Sequence, residues 1–148
     1  MFIDSNENVT VRVYYARKGK TYEAYTKDEY SKLKLRDSEK EKYACLDIVM
    51  RQLTWGLQND LQDVAIKDLP DGTTKFYYKA FKEGKLEKTI VSWSTLDKEG
   101  KECPVVDKDG KPIPARIDNI RALAPEIAEA IVRGYDQQSL MGDDEEKK

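Results

Sequence analysis

Histidine is absent from this 148-residue chain. That removes the commonest general base, the usual partner of a serine or cysteine nucleophile, and the commonest zinc ligand. The groups left for chemistry are carboxylates, lysines, tyrosines and two thiols. Asp60 and Asp63, with Asp68, Asp97, Asp107 and Asp109, are the acidic residues that a metal-dependent nuclease would have to gather into one pocket. Carboxylates near each other in sequence form an acid/base pair only when their environments split their pKa values, and nothing in the sequence indicates such a split. Asp107-Lys108-Asp109-Gly110 opens like a calcium loop, yet Lys111 falls on a ligand position. Pro112 and Asp118 stand where such a loop needs its glycine and its closing glutamate. It reads as a solvated turn. The chain contains no phosphate-binding glycine loop, no nucleophile elbow, no HExxH and no CxxC. Cys45 reads as a small hydrophobe on the inner side of a helix and Cys103 as part of a polar loop, both free thiols of a reducing compartment. The expectation is a protein with no catalytic residues, no cofactor and no metal site.

Binding is better served. Nine tyrosines and two tryptophans supply the rigid, amphipathic side chains that protein interfaces favour. The candidates for partner contact are Tyr14, Tyr15, Tyr77, Tyr78, Trp93 and Tyr135. Adjacent residues of a strand point to opposite faces, so one member of each tyrosine pair is expected inside and the other available for contact. Arg17, Lys18 and Lys20 beside Tyr14 and Tyr22 support an alternative reading, a small nucleic-acid-binding regulator of phage or bacterial origin. Acidic residues follow that cluster at once, and 26 basic against 28 acidic side chains leave a net charge of −2. Such a balance offers no global field for a polyanion, so nucleic acid is the lesser expectation.

The elements that must carry these residues follow from periodicity. Val9, Val11 and Val13 alternate with Thr10, Arg12 and Tyr14, which predicts a strand over Val9–Tyr15, expected at a sheet edge. A polar turn at Arg17–Lys20 and a second strand over Thr21–Tyr25 complete a hairpin. Thr26 with Glu29 forms a capping-box pattern before a short helix bearing Tyr30 and Leu33. Ser38 with Glu41 repeats the pattern ahead of a longer helix, where Tyr43, Leu46, Met50, Leu53 and Leu57 share a face and Gly56, Asn59 and Asp60 mark its end. Leu61–Leu69 is ambiguous. Pro70-Asp71-Gly72 is a turn. Phe76–Phe81 reads as a strand or a short helix, broken at Lys82–Lys85, and Leu86–Trp93 is open between the two.

Thr95–Pro114 is a long connection, with a short hairpin at Val105-Val106 as one way to order it. A helical turn is expected from Asp118 to Leu123. Pro125 suits a first helical turn, and Ile127, Ile131 and Tyr135 predict an amphipathic helix ending near Gln137. The fold class is α+β: an N-terminal β-hairpin packed with amphipathic helices, a long loop and a C-terminal helix. One domain is expected over 1–140, with a disordered charged tail over 141–148. No apolar run reaches membrane-spanning length, and the first nine residues do not have the pattern of a signal peptide.

Several segments together resemble a known family. They are Val91-Ser92-Trp93, the acidic glycine turn Asp97-Lys98-Glu99-Gly100, the segment Gly110-Lys111-Pro112-Ile113-Pro114, and IDNIRALAPEIAEAIV from Ile117 to Val132. With ARKGKTYEAYTKDEY from Ala16 to Tyr30, these cover about half the chain. The pattern resembles small tail-morphogenesis proteins of tailed bacteriophages, of the tail assembly chaperone type, with two glycine turns here instead of one. The resemblance implies a protein that binds tail tube or tape-measure subunits, or a virion-associated tail component. It would act in the host cytoplasm or in the particle. A homo-oligomer is left open beside these partners.

Overall fold

A computed structural model describes residues 7–93 and 104–146 of the chain. The architecture is α+β. Strand β1 (Asn8–Lys18) pairs antiparallel with β2 (Thr21–Thr26), as the hairpin pattern predicts. Gly19, with φ +61°, takes the left-handed first position of the two-residue turn that a II′ hairpin needs. The Thr26 hydroxyl accepts from the Glu29 amide at 3.2 Å, and the Glu29 carboxylate accepts from the Thr26 amide at 3.0 Å. This reciprocal cap starts α1 (Lys27–Lys32) as expected.

The longer helix expected after Ser38 is not there. A four-residue helix, α2 (Asp37–Lys40), has Arg36 at its cap and no side-chain capping bond. The chain then enters β3 (Ala44–Arg51), which pairs antiparallel with β1. Leu46, Ile48 and Met50 satisfy a strand's alternation as well as part of a helix's stripe. They are all buried, while Cys45, Asp47 and Arg51, before, between and after them, are exposed. Pairing on both sides and the β-branched Ile48-Val49 step decide for the strand. Cys45 consequently lies on the exposed side of a strand, not the inner side of a helix. β1 is likewise a central strand and not an edge.

The next helix, α3 (Trp55–Ala65), starts where the expected one was to end. Thr54 is its cap, accepting from the Leu57 amide at 3.2 Å, and Asn59 and Asp60 lie mid-helix. Strands β4 (Ile66–Asp68) and β5 (Thr74–Phe76) form a separate two-stranded ribbon around the Pro70-Asp71-Gly72 turn. Gly72 has φ +86°, and the Asp71 carboxylate accepts from the Thr73 amide and hydroxyl. Helix α4 (Tyr78–Thr89) runs straight through the segment expected to break it. A Cβ at Gly84 would come within 3.0 Å of Leu61 Cδ2, so this glycine lets α4 approach α3.

β6 (Ile90–Trp93) completes the main sheet, whose order is β2-β1-β3-β6. The glycine turn at 97–100 and Cys103 lie outside the described residues. A bridge between Val106 and Pro112 makes the small hairpin expected at Val105-Val106. Asp107 Oδ1 accepts from the amides of Asp109 and Lys111, each at 2.9 Å, which is the bonding of a tight turn. Helix α5 (Arg116–Arg121) and helix α6 (Pro125–Glu146) follow. α6 continues past Gln137 and takes in the first six residues of the segment expected as a disordered tail over 141–148. Among the described residues no helix is long and apolar enough to cross a membrane.

α6 packs across β1 and β2 on one face of the sheet. Ile127, Ala130, Ile131 and Tyr135, at helical spacing, close over Val11, Val13, Leu46, Ile48 and Met50. Burying an aliphatic side chain of this size contributes about 1.5–3 kcal/mol. The closest approach is at Gly134, where an added Cβ would lie 2.7 Å from Val11 Cγ1. Gly134→Ala should therefore lower stability by about 1 kcal/mol, because overpacking by about 1–3 kcal/mol exceeds the helix-propensity gain. Gly56→Ala, with nothing within 4 Å of the new Cβ, should instead raise it by about 0.5 kcal/mol. Urea unfolding of both variants checks this; equal effects would contradict the close approach.

Candidate binding surfaces

Two surfaces remain once α6 has covered its face of the sheet. The first is the open side of the sheet itself. Alternation places Thr10, Arg12, Tyr14, Glu23, Tyr25, Cys45 and Asp47 there, with Arg12 opposite Asp47 and Tyr14 flanked by Tyr25 and Cys45. Arg12 bonds Asp47 through two nitrogens at 2.8 and 3.1 Å, which holds the carboxylate below its ordinary range. Burial first, and the Asp47 charge second, push the Cys45 thiol up, the opposite of what activates a nucleophile.

Tyrosines gather at the end of this face nearest α1. Tyr30 of α1 stacks on Tyr14 with centroids 3.9 Å apart and planes 9° from parallel. Tyr43 meets Tyr30 edge-on at 5.5 Å and Tyr25 at 6.1 Å. The Tyr43 hydroxyl donates to Glu23 at 3.0 Å, and Lys18 pairs with the same carboxylate. Partial burial and that carboxylate push the Tyr43 phenol up to about 12. The cluster is half-buried. It clasps α1 to the sheet through ring contacts.

The second surface is an arm made of α3, the β4–β5 ribbon and α4. Its root is fixed to α6 by Lys82–Glu129 at 2.9 Å and Lys85–Asp136 at 2.5 Å. Lys82 also lies over the Tyr78 ring and Lys85 over the Phe81 ring. Apolar side chains stay uncovered along the arm: Val64 is 66% exposed, Ile66 45%, Phe76 44% and Tyr78 60%. Ile66 and Phe76 are cross-strand partners, and the Phe76 ring lies 6.0 Å from Tyr78 and 5.4 Å from Phe81. Ile66, Phe76 and Tyr78 therefore form one connected apolar patch. Trp55, 83% exposed at the start of α3, stands at the other end of that helix.

The six residues singled out from sequence are not brought together. Tyr14 and Tyr15 divide as strand neighbours should: Tyr14 lies on the open face, while Tyr15 packs with Tyr22 against the core. Tyr77 caps α4 half-buried, and Tyr78 is exposed on the arm. Trp93 packs partly buried against the core. Tyr135 is 3% exposed and donates its hydroxyl to the Arg51 carbonyl at 2.7 Å, so it is a core residue with no face for a partner. Sequence reasoning missed Trp55, Val64, Ile66 and Phe76. Trp55 and Val64 fell in segments read as a helix end and as ambiguous, and the pairing of Ile66 with Phe76 across a ribbon has no local signature.

Neither outer strand is open for strand addition along its whole length. Arg133 donates to the Ala24 carbonyl at 3.3 Å and the Thr26 amide is taken by Glu29, both on β2. On β6, Arg116 donates to the Ile90 carbonyl at 2.7 Å. Such side-chain caps blunt a sheet edge. Among the described residues no three acidic or thiol side chains converge as a metal-binding group.

No protein-family model, no curated protein and no solved structure matches this chain.

Glu29 links the cap of α1 to α6: Arg133 bonds its carboxylate through two nitrogens, each at 3.0 Å, and holds its pKa below the ordinary value of 4.5. A carboxylate depressed by folding stabilises the native state above its unfolded pKa and loses that contribution as pH falls through its folded pKa. Glu29→Gln should cost about 1–2 kcal/mol near neutral pH and flatten the acid-side decline of the urea midpoint. An unchanged decline would contradict the role given to this pair.

Proposed function

We propose that this chain is a non-enzymatic protein-binding protein of the phage tail assembly chaperone type, or a virion-associated tail protein close to it. The observation that supports the binding role is the connected, exposed apolar patch of Ile66, Phe76 and Tyr78. A partner's exposed apolar helix or strand, laid against this patch, would be withheld from aggregation until assembly. The tail context rests on the resemblance of Val91–Trp93, Gly110–Pro114 and Ile117–Val132 to that family.

The alternative, nucleic-acid binding through the hairpin turn, finds less support. Lys18 is engaged by Glu23, and Arg17 donates to the Gly19 carbonyl.

Co-expression with a tail tube or tape-measure subunit tests the reading. The chain should co-purify with that subunit and raise its soluble fraction several-fold. Phe76→Asp should abolish both effects while leaving the circular dichroism unchanged. Recovery of no tail protein under gentle conditions would contradict the proposal.

A further inference from the structure

Tyr14 and Tyr30 hold their rings closer and flatter together than aromatic packing favours. Ring quadrupoles prefer offset or edge-on pairs with centroids about 4.5–7 Å apart, because directly stacked faces repel. The other tyrosine–tyrosine contacts among the described residues keep to that preference, at 5.5–6.2 Å with planes 54–68° apart. Tyr14 and Tyr30 lie at 3.9 Å and 9°. Their closeness is imposed from outside the pair. β1 fixes Tyr14 between two paired strands. The Thr26–Glu29 cap and the Arg133 bonds to Glu29 fix α1, which carries Tyr30. The two rings cover one another's faces, and both side chains are half-buried. Their remaining edges are open to a dissolved oxidant, while another molecule's ring has no way between them.

We propose that Tyr14 and Tyr30 are an oxidative crosslinking site, joined by a carbon–carbon bond between their rings when a peroxidase and hydrogen peroxide act on the chain. Each ring gives up one electron and its phenolic proton. The phenoxyl radical that remains spreads its unpaired electron over the oxygen and the ring carbons ortho to it. Two such rings face to face pair those electrons in a bond between ortho carbons. Each ortho hydrogen then moves as a proton to the oxygen of its own ring, which restores both phenols. Two electrons and two protons leave in all, and they reduce one hydrogen peroxide to two waters. Tyr43 and Tyr25 extend the site. Tyr43 meets Tyr30 at 5.5 Å and Tyr25 at 6.1 Å, so an electron lost from either is replaced through ring contacts from the stacked pair. Tyr43 already donates its hydroxyl to Glu23 at 3.0 Å, which gives its proton a place to go as the electron leaves. The new bond closes the loop from Tyr14 to Tyr30 and fastens α1 to β1, which removes freedom from the unfolded chain as a disulfide does.

Treatment of the full chain with a haem peroxidase and limiting hydrogen peroxide tests the proposal. After reduction of thiols, the monomer should be lighter by two hydrogens and show dityrosine fluorescence. Tandem mass spectrometry of the digest should join the peptide of Tyr14 to that of Tyr30. The crosslinked monomer should unfold at higher urea than the untreated chain. Tyr14→Phe and Tyr30→Phe, which keep both rings for packing, should each lose the monomeric crosslink. Tyr22→Phe should keep it, since that ring lies 6.2 Å from Tyr15 and is tilted by 60°. In the chain unfolded by urea before oxidation, the link should no longer be selective for this pair. Four results would overturn the proposal: no dityrosine in the folded monomer, dityrosine only between molecules, a link mapped to another pair, or the same link formed as selectively in the unfolded chain.

Discussion

The close crossing of α6 over β1 is the constraint on which the rest of the molecule depends. Gly134 lets the helix axis approach Val11, and Ile131 and Tyr135 then reach the core around Ile48 and Met50. A four-stranded sheet needs one buried face to be stable in water, and α6 covers β1 and β2 while Leu86, Val105 and Ile120 add to the same core. Arg133, next to Gly134, joins the same helix to α1 and to the free side of β2. A single turn of α6 thus sets the packing distance, positions the first helix and blunts a sheet edge.

Because the helix covers only one face, the other face of the sheet becomes surface, as does the outer side of the arm. The opposite face is not left as a greasy plane: it carries an arginine–aspartate pair and a tyrosine clasp whose Tyr43 hydroxyl is held by Glu23. The arm differs. Lys82 and Lys85 are spent on fixing it to α6, while beyond them apolar side chains and unpaired lysines face outward. Within the described residues, the two surfaces contrast in how far their own polar and charged groups satisfy one another. That contrast is the ground for proposing the arm, more than the tyrosine-rich sheet, as a docking surface.

The hairpin, the Thr26–Glu29 cap, the Pro70–Gly72 turn and the start of α6 were legible in the sequence because each depends on neighbours within a few residues. β3 was not. Leu46 and Met50 are four apart, so they fit a helical stripe as readily as an alternation, and the β1 and β6 pairings that decide between the two come from distant segments. The same ambiguity shifted the start of α3 and hid Trp55 at its first turn. Gly84 shows the converse error: a residue with poor helix propensity was read as a break, although its missing Cβ is what allows α3 and α4 to touch. Of the candidate binding residues, Tyr14 and Tyr78 came from composition and strand alternation. Ile66 and Phe76 required the ribbon register, and Tyr135 was misjudged because an aromatic at helical spacing looks the same whether its face meets solvent or a core.

α6 and the sheet enclose the core, while the arm keeps Val64, Phe76 and Tyr78 in solvent. Hydroxyl-radical footprinting of the purified chain, read residue by residue by mass spectrometry, measures this directly. Phe76, Tyr78 and Trp55 should label rapidly, and Met50 and Tyr135, intrinsically reactive but buried, should be protected until the protein is unfolded. Protection of Phe76 and Tyr78 to the level of Tyr135, or free labelling of Met50 in the folded chain, would contradict it.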